Sequence, residues 1–265
     1  MKILLCYGTR PEWLKIKPLW GLSEEFKLLR IGQHTDLIKG LPHDYEIKYD
    51  EIGNGRLNDI VVNNLKNLPD ITNFDAILVQ GDTTSAFSIA LSAYHLGIPI
   101  IHLEAGLRTY VRNPYPEEFN RRAISLMADI HLCPTQGNIQ HLYDEKVGGE
   151  KFIVGNTVLD NLVGITTQKQ NKVLITLHRR ENLDNIEEWF EALNNVANQY
   201  NHLEFYYPMH PNPQIQQHKN KLTNVNIIEP LNHDDLINLM KTCNFIITDS
   251  GGIQEEASFL KIPTL

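Results

Sequence analysis

The residues best suited to chemistry in this sequence sit where runs of apolar residues stop. Val79 gives way to Gln80-Gly81-Asp82-Thr83-Thr84, and Leu103 to Glu104-Ala105-Gly106-Leu107-Arg108-Thr109. An acidic pair follows in Pro114-Tyr115-Pro116-Glu117-Glu118-Phe119. Carboxylates that share a cleft push one another's pKa upward, so that one can act as an acid and another as a base near neutral pH. Ordinary uses exist for most of them: Asp82 as a helix N-cap, and Glu117-Glu118 as favourable charge at a helix N-terminus. Glu104 lacks such a use, because glutamate caps helices poorly. Gly8-Thr9-Arg10-Pro11-Glu12, with Lys15 close behind, joins a helix start to two cations, a combination that holds a phosphate or forms a plain strand–helix turn. Further along, His178-Arg179-Arg180-Glu181-Asn182 sets an imidazole and two cations after another apolar run, and Pro208-Met209-His210-Pro211-Asn212-Pro213 is rigid and polar. In Asp249-Ser250-Gly251-Gly252-Ile253-Gln254-Glu255-Glu256, the N–H groups of a Gly-Gly turn opening a helix make an anion cradle. Glu256, one turn inside that helix, is placed where a carboxylate could reach the vicinal hydroxyls of a ribose. Ser250-Gly251-Gly252 also reads as a tight turn, and His210 as a capped core histidine.

Such residues need a scaffold that gathers strand ends. Strands are predicted at Lys2–Tyr7, Lys27–Gly32, Ala76–Val79, Ile98–Leu103, Ile130–Cys133 and Phe152–Val154, then at Val173–Leu177, Leu203–Tyr207, Val225–Ile228 and Phe245–Thr248. Between them run helical patterns, clearest at Ile186, Trp189, Phe190, Leu193, Val196, Ala197 and Tyr200. Thr84–His95 is apolar nearly all round and reads as a buried helix. Alternating strands and helices imply an α/β fold with parallel sheets and right-handed crossovers, in which ligands bind at the carboxyl ends of the strands. A polar seam at Gln168–Lys172 divides the chain into an N-terminal lobe, 1–168, and a C-terminal lobe, 169–265. Lys261-Ile262-Pro263-Thr264-Leu265 reads as the start of another strand, so the second lobe is expected to be incomplete.

At 265 residues the chain admits one large domain or two modest ones. A hydrophobic share of 42%, a charged share of 21% and a net charge of −8 describe an ordinary globular protein whose acidity argues against nucleic acid as a partner. The apolar runs are too short to cross a membrane, and Met1–Gly8 does not read as a signal peptide. Three scattered cysteines, Cys6, Cys133 and Cys243, suggest neither a disulfide framework nor a metal cluster, which points to the cytoplasm. The fingerprints of dinucleotide redox enzymes, P-loop hydrolases and Ser-centred hydrolases are missing, and the histidines lack metal spacing.

Taken in order, the segments spell out a family. Gly8-Thr9-Arg10-Pro11-Glu12, Gly81-Asp82-Thr83, His102-Leu103-Glu104-Ala105-Gly106-Leu107-Arg108-Thr109 and Pro116-Glu117-Glu118-Phe119-Asn120-Arg121 come first. Gly155-Asn156-Thr157-Val158-Leu159-Asp160, His178-Arg179-Arg180-Glu181-Asn182, His210-Pro211-Asn212-Pro213 and Ser250-Gly251-Gly252-Ile253-Gln254-Glu255-Glu256 continue the series. From residue 2 to its last residue the chain resembles the non-hydrolysing UDP-N-acetylglucosamine 2-epimerases.

The resemblance implies two Rossmann-like lobes of the glycosyltransferase-B-like type, with UDP-sugar held between them. It also implies interconversion of UDP-N-acetylglucosamine and UDP-N-acetylmannosamine without NAD or metal, through an enzyme-bound 2-acetamidoglucal. Carried over motif by motif, Asp82, Glu104, Glu117 and His178 match the catalytic residues. Asp82 and Glu117 are expected to form the acid–base pair at C2, Glu104 to orient the sugar or tune their pKa values, and His178 to stabilise the departing diphosphate. Arg10, Lys15, Ser250 and Gly252 match diphosphate contacts and Glu256 a ribose clamp, with Arg108, Arg179, His210, Asn212 and Gly251 as further substrate-binding candidates. The family also implies a homodimer and, in some members, a second UDP-sugar as allosteric effector near Gln33–Asn58, a segment more compact here than the family pattern. Alternative readings are a 2-epimerase of a UDP-linked 6-deoxy-N-acetylhexosamine, a UDP-sugar glycosyltransferase and a non-catalytic UDP-sugar-binding module.

Overall fold

The computed structural model describes the chain except for residues 33–37, 50–55, 178–181, 183–184 and 210–211. It divides into two compact units, Met1–Asn161 and Leu162–Leu265.

The first unit is built on a parallel sheet of β1 (Ile3–Tyr7), β2 (Lys27–Ile31), β3 (Tyr45–Ile47), β4 (Ala76–Gln80), β5 (Ile100–Leu103), β6 (Ile130–Cys133) and β7 (Glu150–Ile153). Its spatial order is β3-β2-β1-β4-β5-β6-β7. All five residues of β1 and of β4 are buried, as expected of strands covered on both faces. Successive side chains serve opposite layers: Leu4 and Cys6 pack with Val79, Ile89 and Ile124, while Ile3, Leu5 and Tyr7 pack with Trp13 and Ile16. The helices are α1 (Arg10–Trp20), α2 (Arg56–Asn67), α3 (Thr84–His95), α4 (Glu117–Met127) and α5 (Gln136–Asp144), with a 3-10 turn at Thr157–Leu162. As the sequence predicts, α3 is buried along most of its length, from Thr84 to Ala93.

From β1 the chain runs outward through β2 and β3, then returns to β4 beside β1 and proceeds the other way. That reversal creates a crevice at the carboxyl ends of β1 and β4, where open α/β sheets bind ligands. The strand predicted from Ile98 begins at Ile100, because Gly97 takes a positive φ of 70° and Pro99 has no N–H for the ladder. β3 escapes prediction because it is a three-residue edge strand too short to show an alternating pattern.

The second unit holds a parallel sheet in the order β10-β9-β8-β11, formed by β8 (Lys172–Thr176), β9 (Glu204–Pro208), β10 (Asn226–Ile228) and β11 (Cys243–Thr248). Thr264 adds an isolated parallel bridge to Ile246. Helices α6 (Ile186–Gln199), α7 (Pro213–Gln216), α8 (His233–Met240) and α9 (Gly251–Phe259) complete it. α6 buries Ile186, Phe190, Leu193 and Ala197, the 4-3-4 spacing of one helical face, against Val173, Ile175, Phe205 and Tyr207. Here the order reverses between β8 and β11, so their carboxyl ends again define a ligand-binding position.

Candidate active site

The site in the first unit begins with helix capping. Thr9 caps α1 and forms a capping box with Glu12. The Glu12 carboxylate is buried and accepts hydrogen bonds from the N–H groups of Gly8 (2.5 Å) and Thr9 (2.8 Å) and from the hydroxyl of Thr83 (2.6 Å). Thr83 in turn caps α3 by accepting from the Ala86 N–H at 3.0 Å. Glu12 therefore ties the loop after β1 to the loop after β4. Burial pushes its carboxyl upward, and the donors around it oppose that rise.

The same loops frame a cleft of about 410 Å³ whose lining includes Arg10, Lys15, Gln80, Asp82 and Glu104. Glu104 directly follows β5 with φ at +67°, a left-handed conformation that a side chain rarely adopts. Its Oε2 accepts from Lys15 Nζ at 2.5 Å and from the Gln80 side-chain amide. The adjoining turn depends on Gly106. Its φ is +85°, and a Cβ there would stand 2.3 Å from the Asn138 carbonyl oxygen, so no larger residue fits.

Asp82 does not cap α3, as Thr83 fills that role. Its carboxylate instead receives Arg121, whose Nε lies 2.8 Å from Oδ2 and whose Nη2 donates to the same oxygen. The Asp82 carbonyl accepts from Asn120 Nδ2 at 2.9 Å. Burial raises the Asp82 carboxyl above its ordinary value; Arg121 opposes this, while the charges of Glu104 and Glu117 add to it. Three carboxylates near one another with Arg121 and Lys15 between them can hold, take and return protons.

The glutamates that open α4 divide their work. Glu117 is half-buried and near enough to act on Asp82. Glu118 is buried, and its oxygens accept from the N–H groups of Thr109 (3.1 Å) and Tyr110 (3.2 Å) and from Arg121 Nη1 at 3.4 Å. Arg108 corrects an expectation. Although placed by sequence among the substrate-binding candidates, its side chain has 0% exposure and is consumed by Glu145, with bonds of 2.8 to 3.0 Å, by Ser125 at 3.1 Å and by the Leu107 carbonyl. It braces the loop after β5 rather than lining the cleft.

In the second unit, Ser250 caps α9 by accepting from the Ile253 N–H, and its own N–H donates to Thr248 Oγ1 at 3.0 Å. Thr176 and Thr248 join their hydroxyls at 2.6 Å across the ends of β8 and β11. A Cβ at Gly252 would meet only Ser250 Oγ, at 4.0 Å, so open space lies beside the helix start, as an anion cradle requires. Gly251 is the first residue of α9. Glu256 is buried, with Oε1 2.9 Å from His233 Nε2. Asn212 caps α7 through a bond from the Gln214 N–H at 2.9 Å. His178, Arg179 and His210 lie outside the described residues, and Asn182 donates to Asp249 Oδ2 at 3.1 Å.

Sequence reasoning did not place Glu12, Gln80, Glu118, Arg121 and His233 among the site residues. The first four stand inside segments already singled out, one to four residues from a candidate. Their signal was position, and the distant partners of three of them, Glu104 for Gln80, Asp82 for Arg121 and Thr83 for Glu12, lie 24 to 71 residues away and were invisible without the tertiary structure. Among the described residues no cluster of His, Cys, Asp and Glu has metal-binding geometry.

In sequence and in fold the chain is similar to known proteins. A family model described as UDP-N-acetylglucosamine 2-epimerase matches residues 27–265. The UDP-N-acetylglucosamine 2-epimerase of Campylobacter jejuni is 36% identical over 307 aligned residues, covering 100% of this chain and 80% of the relative. That of Escherichia coli K12 is 34% identical, with 100% and 81% covered. The crystal structure of UDP-GlcNAc 2-epimerase from Neisseria meningitidis bound to UDP-GlcNAc matches with a TM-score of 0.82 at 30% identity, over 100% of this chain and 81% of that one. With its paired parallel sheets of glycosyltransferase-B type and its acidic cleft, this chain belongs to the UDP-N-acetylglucosamine 2-epimerase family.

Proposed function

We propose that the protein interconverts UDP-N-acetylglucosamine and UDP-N-acetylmannosamine by eliminating UDP and adding it back. The observation that carries this reading is the cleft after β1, β4 and β5, which sets Asp82 and Glu104 beside Arg10 and Lys15 in a member of this family. No carbonyl acidifies the C2–H of the sugar, so its removal requires a positioned base and a good leaving group. One carboxylate of the Asp82–Glu117 pair takes the C2 proton, and the C–H electron pair becomes the C1=C2 double bond. The C1–O bond breaks, and UDP departs with its electrons as a diphosphate anion. In the return step a proton reaches C2 from the opposite face and UDP oxygen re-forms the bond to C1.

In this reading Glu104, held by Lys15 and Gln80, orients the sugar. Arg10 and Lys15 of the first unit and Ser250 and Gly252 of the second are the proposed diphosphate contacts, His178 is assigned to steady the leaving group, and Glu256, bonded to His233, is assigned the ribose hydroxyls. The raised carboxyl of Asp82 suits proton transfer near neutral pH. Incubating the protein with UDP-N-acetylglucosamine in heavy water and following proton NMR tests the reaction. Deuterium at C2 and the appearance of the manno epimer, with UDP still attached, are expected. Release of free N-acetylmannosamine, or absence of C2 exchange, overturns the reading. UDP-linked 6-deoxy-N-acetylhexosamine, run in parallel, decides the C6 substituent.

The assembly proposed is a homodimer. It is supported by apolar residues left exposed on three helices packed side by side: Val62 and Leu65 on α2, Tyr94 on α3, Phe119 and Leu126 on α4. A second UDP-sugar acting as effector would show as a sigmoidal dependence of rate on substrate. The proposed cytoplasmic location accords with three unpaired, buried cysteines. Among the described residues no helix is long and apolar enough to cross a membrane.

A further inference from the structure

We infer that His102 is a positioning residue for the proposed proton transfer: its Nε2–H grips the Gly81 carbonyl and so sets the backbone that presents Asp82. His102 lies on β5 with 0% exposure, and its Nε2 is 2.8 Å from the Gly81 oxygen. A carbonyl only accepts, so Nε2 carries the proton and Nδ1 is a bare acceptor. That Nδ1 is buried and has no partner among the described residues, as is also true of Nδ1 of His131, its register neighbour on β6. Burial drives the His102 ring pKa down to about 3; His131, Arg108 and Arg121 push in the same direction, against the bond to Gly81.

A buried acceptor without a partner destabilises the fold, a cost that a phenyl ring in the same space would avoid. What His102 adds over such a ring is the single bond to Gly81. That bond falls on a demanding piece of chain. Gly81 has φ of +68° and donates its N–H to the Leu103 carbonyl at 2.9 Å. The next carbonyl, that of Asp82, is held by Asn120 at 2.9 Å. The peptide groups on both sides of Asp82 are thus fixed from β5 and α4, leaving only its side-chain torsions to set the carboxylate. Without His102 the Gly81 carbonyl is free to turn, and a displacement of about 1 Å at a catalytic group costs roughly a hundredfold in rate.

The inference rests on the reading that Asp82 acts at C2, and the test separates the two. C2 deuterium exchange and UDP affinity are measured for wild type, H102F and H102Q. The expected result is a fall of about ten- to a hundredfold in kcat for H102F with UDP affinity unchanged, and recovery of most of the rate in H102Q, whose amide N–H reaches the same carbonyl. Nitrogen NMR of the wild-type imidazole should show the Nε2–H tautomer without titration from about pH 5 to 9. Wild-type kcat in H102F, a rate in H102Q no better than in H102F, or an Nδ1–H tautomer overturns the inference. Should H102F fail to fold, H102Q and the wild-type tautomer still decide it. A wild-type protein that exchanges no deuterium refutes the proposed reaction instead, and the tautomer then settles whether His102 holds Gly81.

Discussion

In the proposed reaction Asp82 is the residue on which the chemistry turns, because two opposed influences meet there. Burial and the neighbouring Glu104 and Glu117 favour its protonated form, whereas Arg121 favours the carboxylate. If Asp82 is the base, activity is present above its pKa and is lost as pH falls through it. Replacing Arg121 with Met removes the opposing cation, so the pKa rises further and the acidic limb of the kcat–pH profile should move to higher pH. An unmoved limb would mean that Asp82 does not titrate in the reaction. Asp82→Asn and Glu117→Gln should each slow C2 deuterium exchange by about 10²–10⁴-fold, the usual contribution of a general acid or base, while UDP affinity by calorimetry stays close to wild type. Full exchange in either variant would remove that residue from the pair.

At the scale of elements, the loops matter because other elements grip them. Arg108 leaves the loop after β5 and binds Ser125 of α4 and Glu145 just beyond α5, so one guanidinium fastens three elements. Arg108 holds the Glu145 carboxyl below its ordinary 4.5. That pair therefore adds stability above pH 4.5, which is lost as pH falls through the depressed value. Arg108→Met should lower unfolding free energy by about 1.5–3 kcal/mol at pH 7 in urea denaturation, with a smaller deficit once Glu145 is protonated in both proteins. A constant deficit across that range would assign the loss to packing instead. Most of these elements were legible in the sequence, since β1, β4 and α3 are buried runs or a buried helix, but the cap of α3 was not: Asp82 was the expected N-cap and Thr83 fills that place. β3 was not, since three residues of an edge strand carry no period.

For the whole molecule, the exposed side chains of α2, α3 and α4 predict self-association. Sedimentation of the wild type should give a dimer, and Phe119→Asp or Leu126→Asp, which place charge on residues 65% and 77% exposed, should shift it toward monomer without unfolding it. A monomeric wild type would end that proposal. What the sequence determined by itself was the kind of scaffold and the positions of the candidate chemistry, because apolar runs, caps and ordered motifs are local properties of a chain. Asp82, Glu104 and Glu117 were recognisable in that way. Their surroundings were decided only by the tertiary structure. The placing of β1 beside β4 brings Lys15 to Glu104 across 89 residues and Thr83 to Glu12 across 71, and the return of α4 brings Arg121 to Asp82. The same packing withdraws Arg108 from the cleft and makes Glu118 a brace while Glu117 stays beside Asp82. Partner choice between charged side chains depends on distance and burial, and neither is a property of sequence order.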